Sequence, residues 1–429
     1  MTVANPEEGN TQDQGEGNAP VPANDIQRAL LEIVRVLAEQ IGPRPSAGEG
    51  ERLAAAFMID RLRKAGYQVE LEPFAGLTTF SWTYALPYTA LALAGFLGRR
   101  WPRLGAVLGM GAFAAFLAEN LGFATLSRLP ALPRDRSQNV VARLPLPDDA
   151  PAEPPGAVLL VAHLDSARAA LPFHPRLVGR FRESFLAYTV AMATVAAGGL
   201  LRLLLHADDP ERRRLDRVVV GAAALLVAPL AALLHREASM PFVAGANDNA
   251  SGAAVALAAA ERLAALLHAR PDRKSELWVV FTGCAESGLG GMQRFLAAHG
   301  AELDRANTVF LNVDTVGAGT LTIVNQEGML WPLLADHDLV DAATHVALRR
   351  GLDFQTRGFH TLPTDAQVPL SRGYRALTLL AFDEHGHLPN WHWPSDTWEQ
   401  IDPTTMESAY DLVVRLVRRL VAGPGQRIG

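Results

Sequence analysis

The stretch AVLLVAHLDS, residues 157–166, decides the fold. Its first six residues are apolar without a break, so the strand they form is buried on both faces. Such burial belongs to largely parallel sheets with helices on each side. LWVVFT at 277–282 reads the same way. Further strand-like segments fall at 68–72, 139–144, 309–313, 320–324 and 376–382. They alternate with helix-like segments at 26–40, 48–65, 250–267, 289–299, 334–350 and 405–421. This alternation predicts an α/β fold, a three-layer sandwich around a mostly parallel central sheet.

The opening strand stops on His163, and the chemistry begins there. Outward from AHLDS lie GANDNASG at 245–252, GCAESGLGG at 283–291, NVDTVG at 312–317 and WHWPSD at 391–396. His163, Glu286 and Asp314 each follow an apolar strand, and the carboxyl edge of an α/β sheet is where ligands bind. Asp248 precedes an apolar helix and would serve equally as its N-cap. The company of AHLDS and ESGLGG decides for a ligand. His392 stands ahead of its rivals His385 and His387, because Pro394 and Asp396 end its loop and the aspartate is placed to fix the ring. Imidazole and carboxylate together suit zinc, and a shared carboxylate can hold two ions roughly 3.5–4 Å apart. Asp165 is expected to orient His163 through its second ring nitrogen. Asp365, Trp391 and Trp393 are substrate-pocket candidates, while His360 reads as an ordinary loop residue.

These motifs, in this order, resemble the co-catalytic di-zinc aminopeptidase family (clan MH), which also includes glutaminyl cyclases and membrane-bound members. The segment IGPRPSAGEGERLAAAFMIDRLRKAGYQVELEPF at 41–74 resembles the family's opening helix and strand. The resemblance implies two zinc ions: Asp248 bridges, His163 and Asp314 complete one site, and Glu286 and His392 complete the other. It also implies two adjacent glutamates at the Glu286 motif, the first a general base and the second a metal ligand. Here Ala285-Glu286 keeps the ligand and lacks the base. A methyl group moves no proton, and losing a positioned base costs about 100- to 10,000-fold in rate. Cys284, next to it, reads as a packed thiol.

The remainder of the chain is less orthodox. Apolar stretches at 80–98 and 104–118 flank a tip carrying Arg99, Arg100 and Arg103. Stretches at 184–201 and 218–234 flank another carrying Arg212, Arg213, Arg214 and Arg217. Each is near the lower limit of a bilayer span, about 17 residues, so two transmembrane hairpins are expected. Trp82, Tyr84 and Trp101 suit an interfacial belt. The expected division is a disordered tail at 1–25, one peptidase domain in three pieces (26–79, 129–183, 236–429), and hairpins at 80–128 and 184–235. The polar, acidic tail carries no signal-peptide pattern.

With 39 Lys and Arg against 45 Asp and Glu, the chain gives no reason to expect a nucleic-acid partner. A single cysteine excludes an intramolecular disulfide framework and fits a reducing compartment. The expected partners are a peptide substrate and the lipid bilayer. The leading expectation is a membrane-embedded zinc aminopeptidase acting on peptide N-termini. A catalytically silent peptide- or partner-binding protein is the second reading, and a glutaminyl cyclase-like or amidohydrolase activity the third. Basic hairpin tips favour an outward-facing domain. The unled residues before the first span, and the basic flank Arg176, Arg180 and Arg182, favour a cytoplasmic one, and the cytoplasmic side is the one expected.

Overall fold

The computed structural model describes residues 23–123, 125–144, 156–268 and 273–422. The tail expected to be disordered therefore lies, up to residue 22, outside the described residues. Helices α1 (Ala23–Arg35) and α2 (Glu49–Lys64) lead into β1 (Gln68–Leu77), α3 (Ser81–Leu97), α4 (Pro102–Asn120), β2 (Arg134–Leu144) and β3 (Gly156–His163). Then come α5 (Phe181–Leu201), α6 (Pro210–Leu225), α7 (Val227–Ser239), α8 (Gly252–His268), β4 (Ser275–Thr282), α9 (Gly290–His299) and β5 (Thr308–Val313). The chain closes with β6 (Thr320–Glu327), β7 (Leu333–Leu334), α10 (His337–Arg350), β8 (Phe354–Phe359), α11 (Gln367–Ser371), β9 (Arg375–Phe382) and α12 (Pro403–Ala422).

Among the described residues, nine strands form one sheet in the order β1-β2-β4-β3-β5-β9-β6-β7, with β8 beside β6. The central strands β4-β3-β5-β9 are parallel, while β1, β2 and β6 join antiparallel at the flanks. The apolar run of β3 explains its central place. Val158, Leu160 and Ala162 enter the core shared with α1, α2, α8, α10 and α12. Ala157, Leu159 and Val161 face the opposite core, with α9 and α11. The sandwich thus has three layers, and the parallel strands present their carboxyl ends side by side.

The two apolar excursions leave this sandwich without disturbing it. α3 and α4 connect β1 to β2, whose pairing at Leu77 and Arg134 brings the chain back where it left. α5 to α7 depart after the His163 loop, and the bridge between Arg168 and Phe242 closes that excursion. Pro229 in the first turn of α7 has no N–H to offer, which fits the break between α6 and α7 at Leu226. The helices pack as one bundle around Tyr88, Leu91, Phe116, Phe185, Met192 and Val219. Small residues let the backbones close up: a Cβ added to Gly95 would stand 2.4 Å from the Ala223 Cβ. Outward, the bundle exposes apolar side chains, among them Phe96, Val107, Val190 and Val218.

Among the described residues, three helices are long and apolar enough to cross a membrane: 178–201, 210–239 and 246–268. The last, which contains α8, is 78% buried in the sandwich core and so already has its apolar partner. The other two are only 39% and 17% buried. α3, at 17 residues with Pro87 inside it, and α4 are not among the three.

Candidate metal centre

The sheet brings the predicted ligands together. His163 ends β3, Glu286 follows β4, Asp314 follows β5 and His392 follows β9, all at the carboxyl edge of adjacent parallel strands. Asp248 reaches the same rim from the turn before α8. The atoms form two triads, His163–Asp248–Asp314 and Asp248–Glu286–His392, each with its ligand atoms within 4.8 Å of one another. His163 Nε2 is 3.3 Å from Asp248 Oδ1 and 3.7 Å from Asp314 Oδ1. His392 Nε2 is 3.0 Å from Asp248 Oδ2 and 3.2 Å from Glu286 Oε2. All five residues are at least nine-tenths enclosed or nearly so.

These distances fit a metal. Ligands about 2.0–2.1 Å from a tetrahedral ion stand about 3.3 Å from each other, the spacing found here. Asp248 Oδ2 is buried and close to the His392 ring nitrogen, yet not aligned for a hydrogen bond. Its lone pairs are thus left for a cation. Electrostatics agree. Burial pushes the His392 ring down, but the Glu286 and Asp248 carboxylates outweigh it and raise it to about 10. Burial likewise acts against a charged His163, and its carboxylate neighbours lift that ring well above its ordinary value. The site has concentrated negative charge that asks for positive charge in return. Zinc fits this donor set of two imidazoles and three carboxylates.

The supports of the site differ from the sequence expectation. His163 Nδ1 lies 3.0 Å from the backbone carbonyl of Asp165, whereas the Asp165 carboxylate is 3.5 Å away. That carboxylate instead accepts the Ala285 and Glu286 N–H groups, both at 3.0 Å, and the Ser46 hydroxyl. So Asp165 steadies the histidine through its main chain and the Glu286 loop through its side chain. Asp396, expected to fix the His392 ring, accepts the N–H groups of Asn247 and Asp248 at 2.6 and 3.1 Å. It anchors the shared carboxylate's backbone. The His392 ring is held by aromatic packing, with Phe173 edge-on at 4.6 Å and Trp391 at 4.7 Å. Asp248 is not an N-cap, because the neighbouring Asn249 Oδ1 accepts the Gly252 N–H at 3.0 Å.

Sequence reasoning missed two further supports. Buried Arg44 donates to the carbonyls of Leu37, Gly42, Leu164, Ala244 and Gly245, tying the opening segment to both the His163 and Asp248 loops. Buried Glu51 accepts the Cys284 N–H at 2.9 Å and holds the near end of the Ala285 loop. The only signal was their place in the PRPSAGEGE run. Backbone strain marks the same region: Cys284, Leu289, Thr315, Asn390 and His392 all have left-handed φ without being glycine. The Cys284 thiol is fully buried and burial pushes it up, so it is not poised as a nucleophile.

A cavity of about 550 Å³ opens from the metal centre. Ala285, Asp365 and Trp391 line it, together with residues of α3, α5 and α7. Asp365 Oδ2 accepts the Thr282 hydroxyl, while its Oδ1 is buried without a partner. Trp393, expected in the pocket, is not among the lining residues. The Trp393 N–H donates to Asn390 in a tight turn, and its ring packs on His174 instead. His360 bonds to Gly328, and His385 and His387 lie in the turn at Asp383, so none of the three joins the ligands.

Residues 232–417 match the family model described as Peptidase family M28. That segment is similar to the M28 peptidases. The M28 segment contains four of the five ligands, and His163 lies before it. Solved structures extend the likeness to nearly the whole chain. BSAP, a zinc aminopeptidase from Bacillus subtilis, is 16% identical with a TM-score of 0.54, covering 93% of this chain and 96% of its own. The aminopeptidase of Aneurinibacillus sp. strain AM-1 is 16% identical with a TM-score of 0.53, covering 94% and 95%. Glutaminyl cyclase from Porphyromonas gingivalis is 15% identical with a TM-score of 0.50, covering 91% and 97%. At such identities the shared property is the fold. No curated protein sequence matches the chain significantly. Family segment and fold together support a zinc metallopeptidase.

Proposed function

We propose that the protein is a membrane-anchored exopeptidase scaffold that binds two zinc ions and positions the N-terminal amide of a peptide for hydrolysis. The observation that carries this reading is the pair of triads sharing Asp248. When bound, zinc would polarise the scissile carbonyl and acidify water at the site. His163 and Asp314 would hold one ion, Glu286 and His392 the other, with Asp248 between them. Asp165 and Glu51 keep the 284–286 loop in place, so the side chain at 285 opens onto the cavity. There it presents a methyl group and accepts no proton, which makes hydrolysis by this chain slow.

The same methyl favours a second reading, a catalytically silent peptide-binding protein that keeps its metal site. An N-terminal glutamine peptide, followed by product analysis, separates hydrolysis from cyclisation. Zinc stoichiometry tests the shared ligand itself. Glu286→Gln should lose one ion and retain the other, whereas Asp248→Asn should weaken both. Equal retention of two ions in Asp248→Asn would sink the bridging assignment.

We also propose that the two hairpins cross a bilayer. Their outward apolar faces and the low burial, 17%, of the apolar helical stretch 210–239 support this. Arg202 at the end of α5 donates to the Gly95 carbonyl near the end of α3, so the two tips lie side by side. Arg99, Arg100, Arg103, Arg213, Arg214 and Arg217 gather there, while Arg128, Arg168, Arg176, Arg180, Arg182 and Arg236 lie towards the domain side. Basic residues thus flank both ends of the bundle, and the positive-inside rule does not set its orientation.

A further inference from the structure

The cavity above the metal centre is not built by the sandwich alone. Tyr84 and Tyr88 of α3, Phe185 and Tyr188 of α5, and Ala232 and Leu233 of α7 supply its far wall. Each of these comes from the inserted helices, at their domain-side ends. At about 1.5 Å per residue, Tyr88 and Tyr188 stand about 10 Å along their helices from Ser81 and Phe181. A bilayer's polar zone is about 5–7 Å deep on each side, so with the helices entering the bilayer at Ser81 and Phe181, as proposed above, this wall would reach the first part of the hydrocarbon layer. The chamber is polar at one end only. Its carboxylates and imidazoles, with Thr315 and Thr364, belong to the metal end, and beyond them the lining is aromatic and aliphatic except for Arg180, Ser184 and Arg236. Its volume, about 550 Å³, falls in the usual range for sites that enclose a whole small ligand.

We infer that the substrate is an amphiphile: an amide whose reacting end lies at the metal centre and whose long apolar chain lies between α3, α5 and α7. This rests on the metal-centre reading and adds the substrate class to it. The bundle then does two jobs, holding the enzyme at the bilayer and receiving the apolar chain of a molecule that resides there. Each methylene buried in the chamber should tighten binding about fourfold. A short polar peptide gains nothing from the bundle and should be a poor ligand.

The test uses the full chain, zinc-loaded, in lipid nanodiscs. The probe is a long-chain alkyl hydroxamate carrying a diazirine at its far end, the hydroxamate being a zinc-binding head. After photolysis, label should appear on Tyr84, Tyr88, Phe185 or Tyr188, and excess acetohydroxamate should suppress it. Ala232→Trp, which fills the chamber, should cut this labelling more than about tenfold, the loss from displacing two methylenes. Val190→Trp, on the outward face of α5, should leave it unchanged. Label confined to outward residues such as Val190 and Val218 would overturn the inference. Label in the chamber that acetohydroxamate does not displace would also overturn it, because chain and metal site would then be separate. Acetohydroxamate that fails to bind the zinc-loaded protein, measured by calorimetry, would remove the metal-centre reading and this one with it.

Discussion

Burial raises the carboxyl groups of Glu51, Asp365 and Asp396 to about 7 each. A carboxyl raised in the folded state favours folding fully below its unfolded value, near 4. It loses that contribution as the pH rises through about 7. His392, lifted to about 10, has the same sign and titrates higher still. The zinc-free protein should therefore melt at a lower temperature near pH 8 than near pH 5, and zinc should reverse the fall by supplying the missing positive charge. Scanning calorimetry with and without a chelator reads this directly, and a flat or rising midpoint would contradict it. The metal ligands were legible because each sits in a short motif, with His163, Glu286 and Asp314 at the ends of apolar strands and Asp248 before an apolar helix. Asp165, Asp396, Arg44 and Glu51 were not, because they act on backbone groups up to 233 residues away, and that distance closes only in the folded chain. Trp393 shows the same limit from the other side: a tight turn decides which of two neighbouring tryptophans faces the cavity.

Among elements, the central strands announced themselves by unbroken apolar runs, and the helices over the sheet by their spacing. The short β7 and the half-exposed β8 carry no such run and depend on β6 for their pairing. The inserted helices are apolar enough to be seen, but their packing rests on small residues whose role depends on what faces them. Gly95 against Ala223 is the clearest contact. Gly95→Val should force α3 and α6 apart and destabilise the bundle by about 1–3 kcal/mol. Thermal unfolding in nanodiscs would register this as a lower midpoint. An unchanged midpoint would mean that the two helices do not pack in the bilayer as they do here.

At the scale of the molecule, a three-layer α/β sandwich carries a helical bundle over the mouth of its candidate metal centre. The placement explains why the hairpins interrupt the chain where they do. One leaves between β1 and β2 and the other between the His163 and Asp248 loops, so both rise from the rim that holds the ligands. If the tips are cytoplasmic, protease added outside sealed, right-side-out vesicles should cut the domain and spare the tips at Arg100 and Arg213. Cleavage restricted to the tips would put the domain inside. The proposed chemistry is that of a two-zinc ligand set beside a residue that accepts no proton. The most direct test measures zinc content and N-terminal peptide hydrolysis together, on a peptide with an apolar tail, for the native chain and for Ala285→Glu. The expected result is equal zinc in both and a gain of about 100- to 10,000-fold in hydrolysis for the glutamate variant. Equal zinc with no gain, or native activity already as high as the variant's, would contradict the account.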